Sequence, residues 1–131
     1  MKSHVFRLGP GQDLKAEIQK LVSEKKITAG AIITCVGSLK FACLRMAGES
    51  SPSTFSEKFE IVSLVGTVSI NGSHLHISLS DSQGKMRGGH LLGGCQVNTT
   101  AELVIGEIEG LTFSRETDTT TGYKELVISS K

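Results

Sequence analysis

The chain has 131 residues, of which 38% are apolar and 21% charged, and its formal net charge is +1 at pH 7. These values predict one folded, soluble domain over residues 1–131, and no apolar run approaches the about 18 residues of a membrane span. A near-neutral charge without a dense basic run argues against DNA as a partner. The first residues, Met1-Lys2-Ser3-His4, lack the apolar core of a signal peptide, which predicts a cytoplasmic protein.

The N-terminal region predicts a strand followed by a helix. Residues 5–8 form the strand pattern, which ends at Gly9-Pro10-Gly11. Asp13 is a favourable residue to cap a helix. Apolar residues then recur at helical spacing, at Leu14, Ile18, Leu21 and Val22. We therefore expect an amphipathic helix of about four turns.

From Gly30 onward the pattern becomes that of strands. A bulge or bend is expected at Gly37-Ser38, a loop over residues 47–56, and a hairpin turn at Asn71-Gly72. The predicted strands cover residues 31–36 with 39–46, 59–70, 74–80, 85–92, 97–108, 113–116 and 123–128. This order predicts an α+β fold, with a mostly antiparallel sheet of about seven or eight strands packed by one helix. A single helix covers little sheet surface, so a homo-oligomer is expected to cover the rest.

Three of the four histidines lie within seventeen residues of one another, in His74-Leu75-His76 and Gly88-Gly89-His90. On a strand, residues i and i+2 point to the same face, so His74 and His76 are expected to lie side by side. The two glycines allow close backbone approach and could present His90 to the same place. Three imidazoles can hold a divalent metal with one position open, and zinc is the first candidate.

Other interpretations of these residues stay open. The histidines could line a polar sheet face or a subunit contact, and the glycine-rich segment around His90 could bind an anion through its backbone amides. Asp81 could orient a histidine or act as a general base, or it could bond turn amides. Glu102 could contact a substrate or pair with Arg45. The three cysteines, without a paired motif, are expected to be reduced and mostly buried.

Six motifs, in order along nearly the whole chain, resemble those of the PPC domain, a plant and prokaryote conserved domain that occurs beside AT-hooks in plant nuclear proteins. The motifs are Gly37-Ser38-Leu39, Ala42-x-Leu44-Arg45, Phe59-Glu60-Ile61-Val62-Ser63-Leu64-x-Gly66-Thr67, His74-Leu75-His76-x-Ser78-Leu79-x-Asp81-x-x-Gly84, Gly88-Gly89-His90-Leu91 and Thr99-Thr100-Ala101-Glu102. The chain itself lacks the basic Arg-Gly-Arg-Pro core of an AT-hook.

The resemblance implies a homotrimer and metal binding at the histidines, and it implies that the DNA-binding label of the family follows from the AT-hook. The sequence thus predicts a soluble homotrimeric PPC-like protein, with a divalent metal at His74, His76 and His90 and a pocket for a small-molecule ligand. One alternative is a metal-dependent hydrolase or lyase in which Asp81 or Glu102 handles protons. Another is a transcription-linked or DNA-associated protein-interaction module.

Overall fold

Nine strands and one helix form the structure, a computed structural model that describes residues 1–131. In chain order the elements are β1 Lys2–Leu8, α1 Leu14–Glu24, β2 Gly30–Arg45, β3 Ser53–Phe55, β4 Phe59–Ser69, β5 Gly72–Ser80, β6 Met86–Leu91, β7 Gln96–Glu107, β8 Leu111–Thr117 and β9 Lys124–Ser130. The helix is too short to cross a membrane.

Seven strands form the main sheet, in the order β1-β7-β2-β4-β5-β6 with β3 beside β2, and β8 and β9 form a separate two-stranded sheet. Every strand pair is antiparallel. The prediction of an α+β fold with a mostly antiparallel sheet is therefore confirmed.

The long strand β2 bends, and this bend brings distant strands together. Its pairing with β7 shifts register between Ile32 and Thr34 and again on both sides of Leu39, as expected for a strand interrupted at Gly37-Ser38. The first part of β2 pairs with β4, whereas Leu44 and Arg45 at its end pair with β6. Because β4 pairs with β5 and β5 with β6, these four strands form a closed ring.

The helix α1 packs against the inner face of the sheet, where it contacts β4 and β7. Asp13 caps it, because its carboxylate accepts a hydrogen bond from the Ala16 amide at 3.1 Å. The apolar side of α1 is fully buried at Leu14, Ile18 and Val22. These side chains pack in one core with the inward residues of β5, which fixes the face of β5 that remains outside.

Three details differ from the sequence-based expectations. The helix has 11 residues, or about three turns rather than four. The predicted loop over residues 47–56 contains the short strand β3, because Thr54 pairs with Cys43. The hairpin between β4 and β5 turns at Ile70-Asn71, one residue earlier than predicted, and Gly72 already pairs with Ser69.

Candidate metal centre

Strand β5 places His74 and His76 on the outer face of the sheet. Both side chains are exposed, whereas Leu75 and Ile77 between and beyond them are 1% and 2% exposed. The alternation follows from the two-residue period of a strand, with the apolar residues buried in the core. The predicted side-by-side placement of the two histidines is confirmed.

Strand β6 delivers His90 to the same face, because His90 lies directly opposite His76 in the β5–β6 pairing. The preceding glycines make this approach possible. A Cβ atom at Gly88 would lie 2.7 Å from the carbonyl oxygen of Ile77, and one at Gly89 would lie 2.8 Å from that of Arg45. Any side chain at these positions would therefore push β6 away from β5 or from β2.

The three imidazoles form a compact group. The Nε2 atoms of His74 and His76 are 3.2 Å apart, and one nitrogen of each of the three rings lies within 4.8 Å of the others. The centroids of the rings are 4.9 to 5.6 Å apart. The Nδ1 atom of His90 is buried without a hydrogen-bond partner, which is uncommon for a buried polar atom.

The environment keeps two of these histidines neutral. Burial, the charge of Arg45 and the neighbouring histidines lower the pKa of His90 to about 4. Burial, then His76 and then Arg115, lower the pKa of His74, against an opposing contribution from Glu125. Neutral imidazole is the form that binds a metal, so both rings are ready to coordinate below neutral pH.

The lowered pKa of His90 also predicts how the metal-free protein responds to acid. An unfolded histidine has a pKa of about 6.5. Between about pH 6.5 and 4, His90 is therefore protonated in the unfolded chain but not in the folded protein, so the free energy of unfolding falls as the pH falls. In the presence of a chelator, we expect the wild type to lose about 1 kcal/mol more than His90→Gln between pH 7 and 4, after allowance for solvent screening. Urea denaturation at both pH values measures this difference, and equal losses in the two proteins would contradict it.

A cleft of about 820 Å³ opens beside the histidines. It is lined by residues of β2, β4, β5 and β6, by the loop after β2, and by Tyr123 before β9; those with polar side chains are Arg45, Glu49, Ser50, Ser63, His76, Ser78, His90 and Tyr123. Arg45 lies opposite His90 in the pairing of β2 with β6. On the other side, Arg115 of β8 donates a hydrogen bond to Thr67 at 2.9 Å, and Thr67 lies opposite His74. Sequence reasoning gave neither arginine a place in the site.

The two carboxylates predicted as companions are placed elsewhere. Asp81 closes the turn after β5, where its Oδ1 atom accepts hydrogen bonds from the Gln83 and Lys85 amides, both at 2.9 Å. These bonds hold the pKa of Asp81 below its usual value. Along the strand, Asp81 is about 16 Å from His76. Neither Asp81 nor Glu102 belongs to the histidine group.

The suggested pairing of Glu102 with Arg45 is wrong. Glu102 lies opposite Val36 of β2 and Arg7 of β1, and Arg45 is nine positions further along β2. The chain's one ion pair joins His4 and Glu107 instead. The error arose because a motif shared along the sequence does not fix which strands become neighbours.

The cysteines do not contribute ligands. All three are free thiols, as predicted. Burial raises the pKa of Cys35 to about 12 and that of Cys95 to about 11. Since the thiolate is the form that binds metals, these residues favour a packing role.

The sequence model of the Plants and Prokaryotes Conserved (PCC) domain matches residues 1–109. The chain belongs to the PCC domain family. This is the plant and prokaryote conserved family that the motifs resembled. The match spans β1 to β7 and all three histidines, whereas the β8–β9 hairpin that carries Arg115 follows it.

Solved structures of similar proteins share the PCC fold over nearly their whole length. A protein from Salmonella enterica is 43% identical, with a TM-score of 0.97 over 99% of this chain and 94% of that chain. A protein described as metal-containing, from Archaeoglobus fulgidus, is 28% identical, with a TM-score of 0.86 over 97% of this chain and 94% of that chain.

Among curated proteins, the bifunctional protein GlmU of Synechococcus sp. (strain JA-2-3B'a(2-13)) is 42% identical over 128 residues. The match covers 98% of this chain and 20% of that protein. The chain thus spans about a fifth of the length of these curated relatives from Synechococcus.

Proposed function

We propose that His74, His76 and His90 bind a divalent metal ion, with zinc as the first candidate, and that the cleft beside them admits a small ligand. The observation that carries this proposal is the convergence of one nitrogen from each ring within 4.8 Å. Under this proposal the protein is a metal-dependent binding module. It is a single cytoplasmic domain that assembles as a homotrimer.

The spacing of His74 and His76 fits such an ion. Two nitrogens bound to tetrahedral zinc at its usual bond length are about 3.3 Å apart, and the Nε2 atoms of His74 and His76 are 3.2 Å apart. The partnerless Nδ1 atom of His90 adds a second argument, since coordination through this atom would remove the cost of leaving a buried nitrogen unpaired. Three protein ligands leave a fourth position, which is how metal sites receive a ligand.

Two further observations support the proposal. The relative from Archaeoglobus fulgidus is described as metal-containing. The outer sheet face exposes Val36, Val62 and Val65 by 53%, 54% and 56%, and burial of such residues between subunits would stabilise a homotrimer.

A binding module fits the site better than the alternatives. In the metal-dependent hydrolase or lyase predicted from the sequence, Asp81 or Glu102 would move protons, and both residues lie outside the histidine group. A DNA-associated module would need a basic surface to neutralise phosphates, whereas the chain has a net charge of +1.

Metal analysis of the purified protein tests the proposal. Protein prepared without a nickel column and dialysed against zinc is expected to hold about one zinc ion per chain, as measured by elemental mass spectrometry. His76→Ala removes one of the three donors and is expected to reduce the affinity for zinc at least 100-fold.

His4→Ala is the matched control, because His4 pairs with Glu107 at 2.8 Å and lies outside the site. It is expected to retain zinc at the wild-type level. Substoichiometric metal in the wild type, with no difference between the two variants, would overturn the proposal.

A further inference from the structure

Arg45 is a cation that lies beside the histidine group. It ends β2, lies opposite His90 in the pairing with β6, and lines the cleft together with His76 and His90. A permanent positive charge therefore lies beside two of the proposed ligands.

The guanidinium of Arg45 has no partner within the chain. It makes no ion pair and no hydrogen bond, although Glu49 lines the same cleft. Since arginine carries five donors and cannot lose its charge, its donors in the cleft stay available to a ligand.

A cation beside a metal site would by itself weaken metal binding, because like charges repel. An anion that contacts both the metal ion and Arg45 reverses this effect. The bound anion raises the affinity for the metal ion, and the bound metal ion raises the affinity for the anion.

We propose that the ligand of this cleft is a small organic carboxylate, which Arg45 binds through the carboxylate while an oxygen of the same molecule occupies the open position of the ion. This inference rests on the proposed metal site. The planar guanidinium matches the two oxygens of a carboxylate in a fork.

The rest of the cleft suits such a molecule. Its volume of about 820 Å³ lies within the usual range for small-molecule sites. The hydroxyls of Ser63 and Ser78 line it without hydrogen bonds inside the chain, and Val65 offers an apolar contact. The site would therefore take a short organic acid with a hydroxyl or a second oxygen.

Calorimetric titration of the zinc-loaded protein with lactate and malonate tests the inference, with inorganic phosphate as the comparison. Arg45→Gln is expected to weaken binding of the carboxylates at least tenfold while zinc stays bound in full. The carboxylate affinity of Arg45→Lys is expected to lie between those of the wild type and Arg45→Gln, because an ammonium keeps the charge but cannot form the two parallel hydrogen bonds of a guanidinium. Arg7→Gln is the matched control, since Arg7 is exposed on β1 and lines a different groove.

The outcomes separate the two proposals. A wild-type protein that binds no zinc overturns the metal function, and this inference with it. Full zinc occupancy with equal carboxylate affinity in the wild type and Arg45→Gln overturns the ligand class alone. Tighter binding of phosphate than of both carboxylates, with the same dependence on Arg45, also overturns the proposal that the ligand is a carboxylate. That result would assign the cleft to a phosphate ester.

Discussion

Gly66→Ala is expected to lower the free energy of unfolding by about 2 to 6 kcal/mol. Gly66 has a φ of +147°, a backbone conformation that residues with side chains rarely adopt. A Cβ atom there would overlap the carbonyl oxygen of His74 on the paired strand β5. The strained backbone and the overlap each cost about 1 to 3 kcal/mol, and β4 must separate from β5 to relieve them.

The same change should weaken the metal site, because the displaced strand carries His74 and His76. Urea denaturation with a chelator present measures the loss of stability, and zinc titration at a temperature where the variant is folded measures the loss of affinity. Gly9→Ala is the control, since the nearest atom to a Cβ there is Gln12 Oε1 at 3.8 Å. We expect that variant to remain within about 0.5 kcal/mol of wild type. A Gly66→Ala protein with the same denaturation midpoint as Gly9→Ala would be incompatible with this account.

Local patterns were enough to predict the fold class and the central part of the site. The alternation of residues 74–80 has a period of two, so the common face of His74 and His76 could be predicted without knowing which strands pair. The glycine pair before His90 indicated close packing, and the structure shows carbonyl oxygens of β5 and β2 where side chains would have been. These inferences depend on neighbouring residues, which the sequence displays directly.

The surroundings of the histidines depend on long-range pairing, which local patterns do not contain. Arg45 reaches His90 because β2 bends and its last residues pair with β6, 45 positions further along the chain. Arg115 reaches Thr67 from the separate β8–β9 hairpin. The choice between Glu102 and His90 as neighbours of Arg45 was therefore open in the sequence, and the guess fell on the wrong strand.

Zinc is expected to stabilise the folded protein substantially, because the ion would join β5, which carries His74 and His76, to β6, which carries His90. The unfolded chain does not hold the three rings together, so binding favours the folded state by mass action. At free zinc 100 times the dissociation constant this amounts to about 2.7 kcal/mol, or a rise in Tm of about 10 °C for a domain of this size.

Thermal denaturation with zinc and with a chelator measures this rise, and two variants assign it to the histidines. His76→Ala is expected to show little rise in Tm with zinc, because two imidazoles alone bind zinc weakly. Asp81→Ala is expected to lose stability in both conditions, since it removes the acceptor of the Gln83 and Lys85 amides, yet to keep the full rise with zinc. If Asp81→Ala lost the rise and His76→Ala kept it, the ion would be bound at the turn after β5 rather than between the strands.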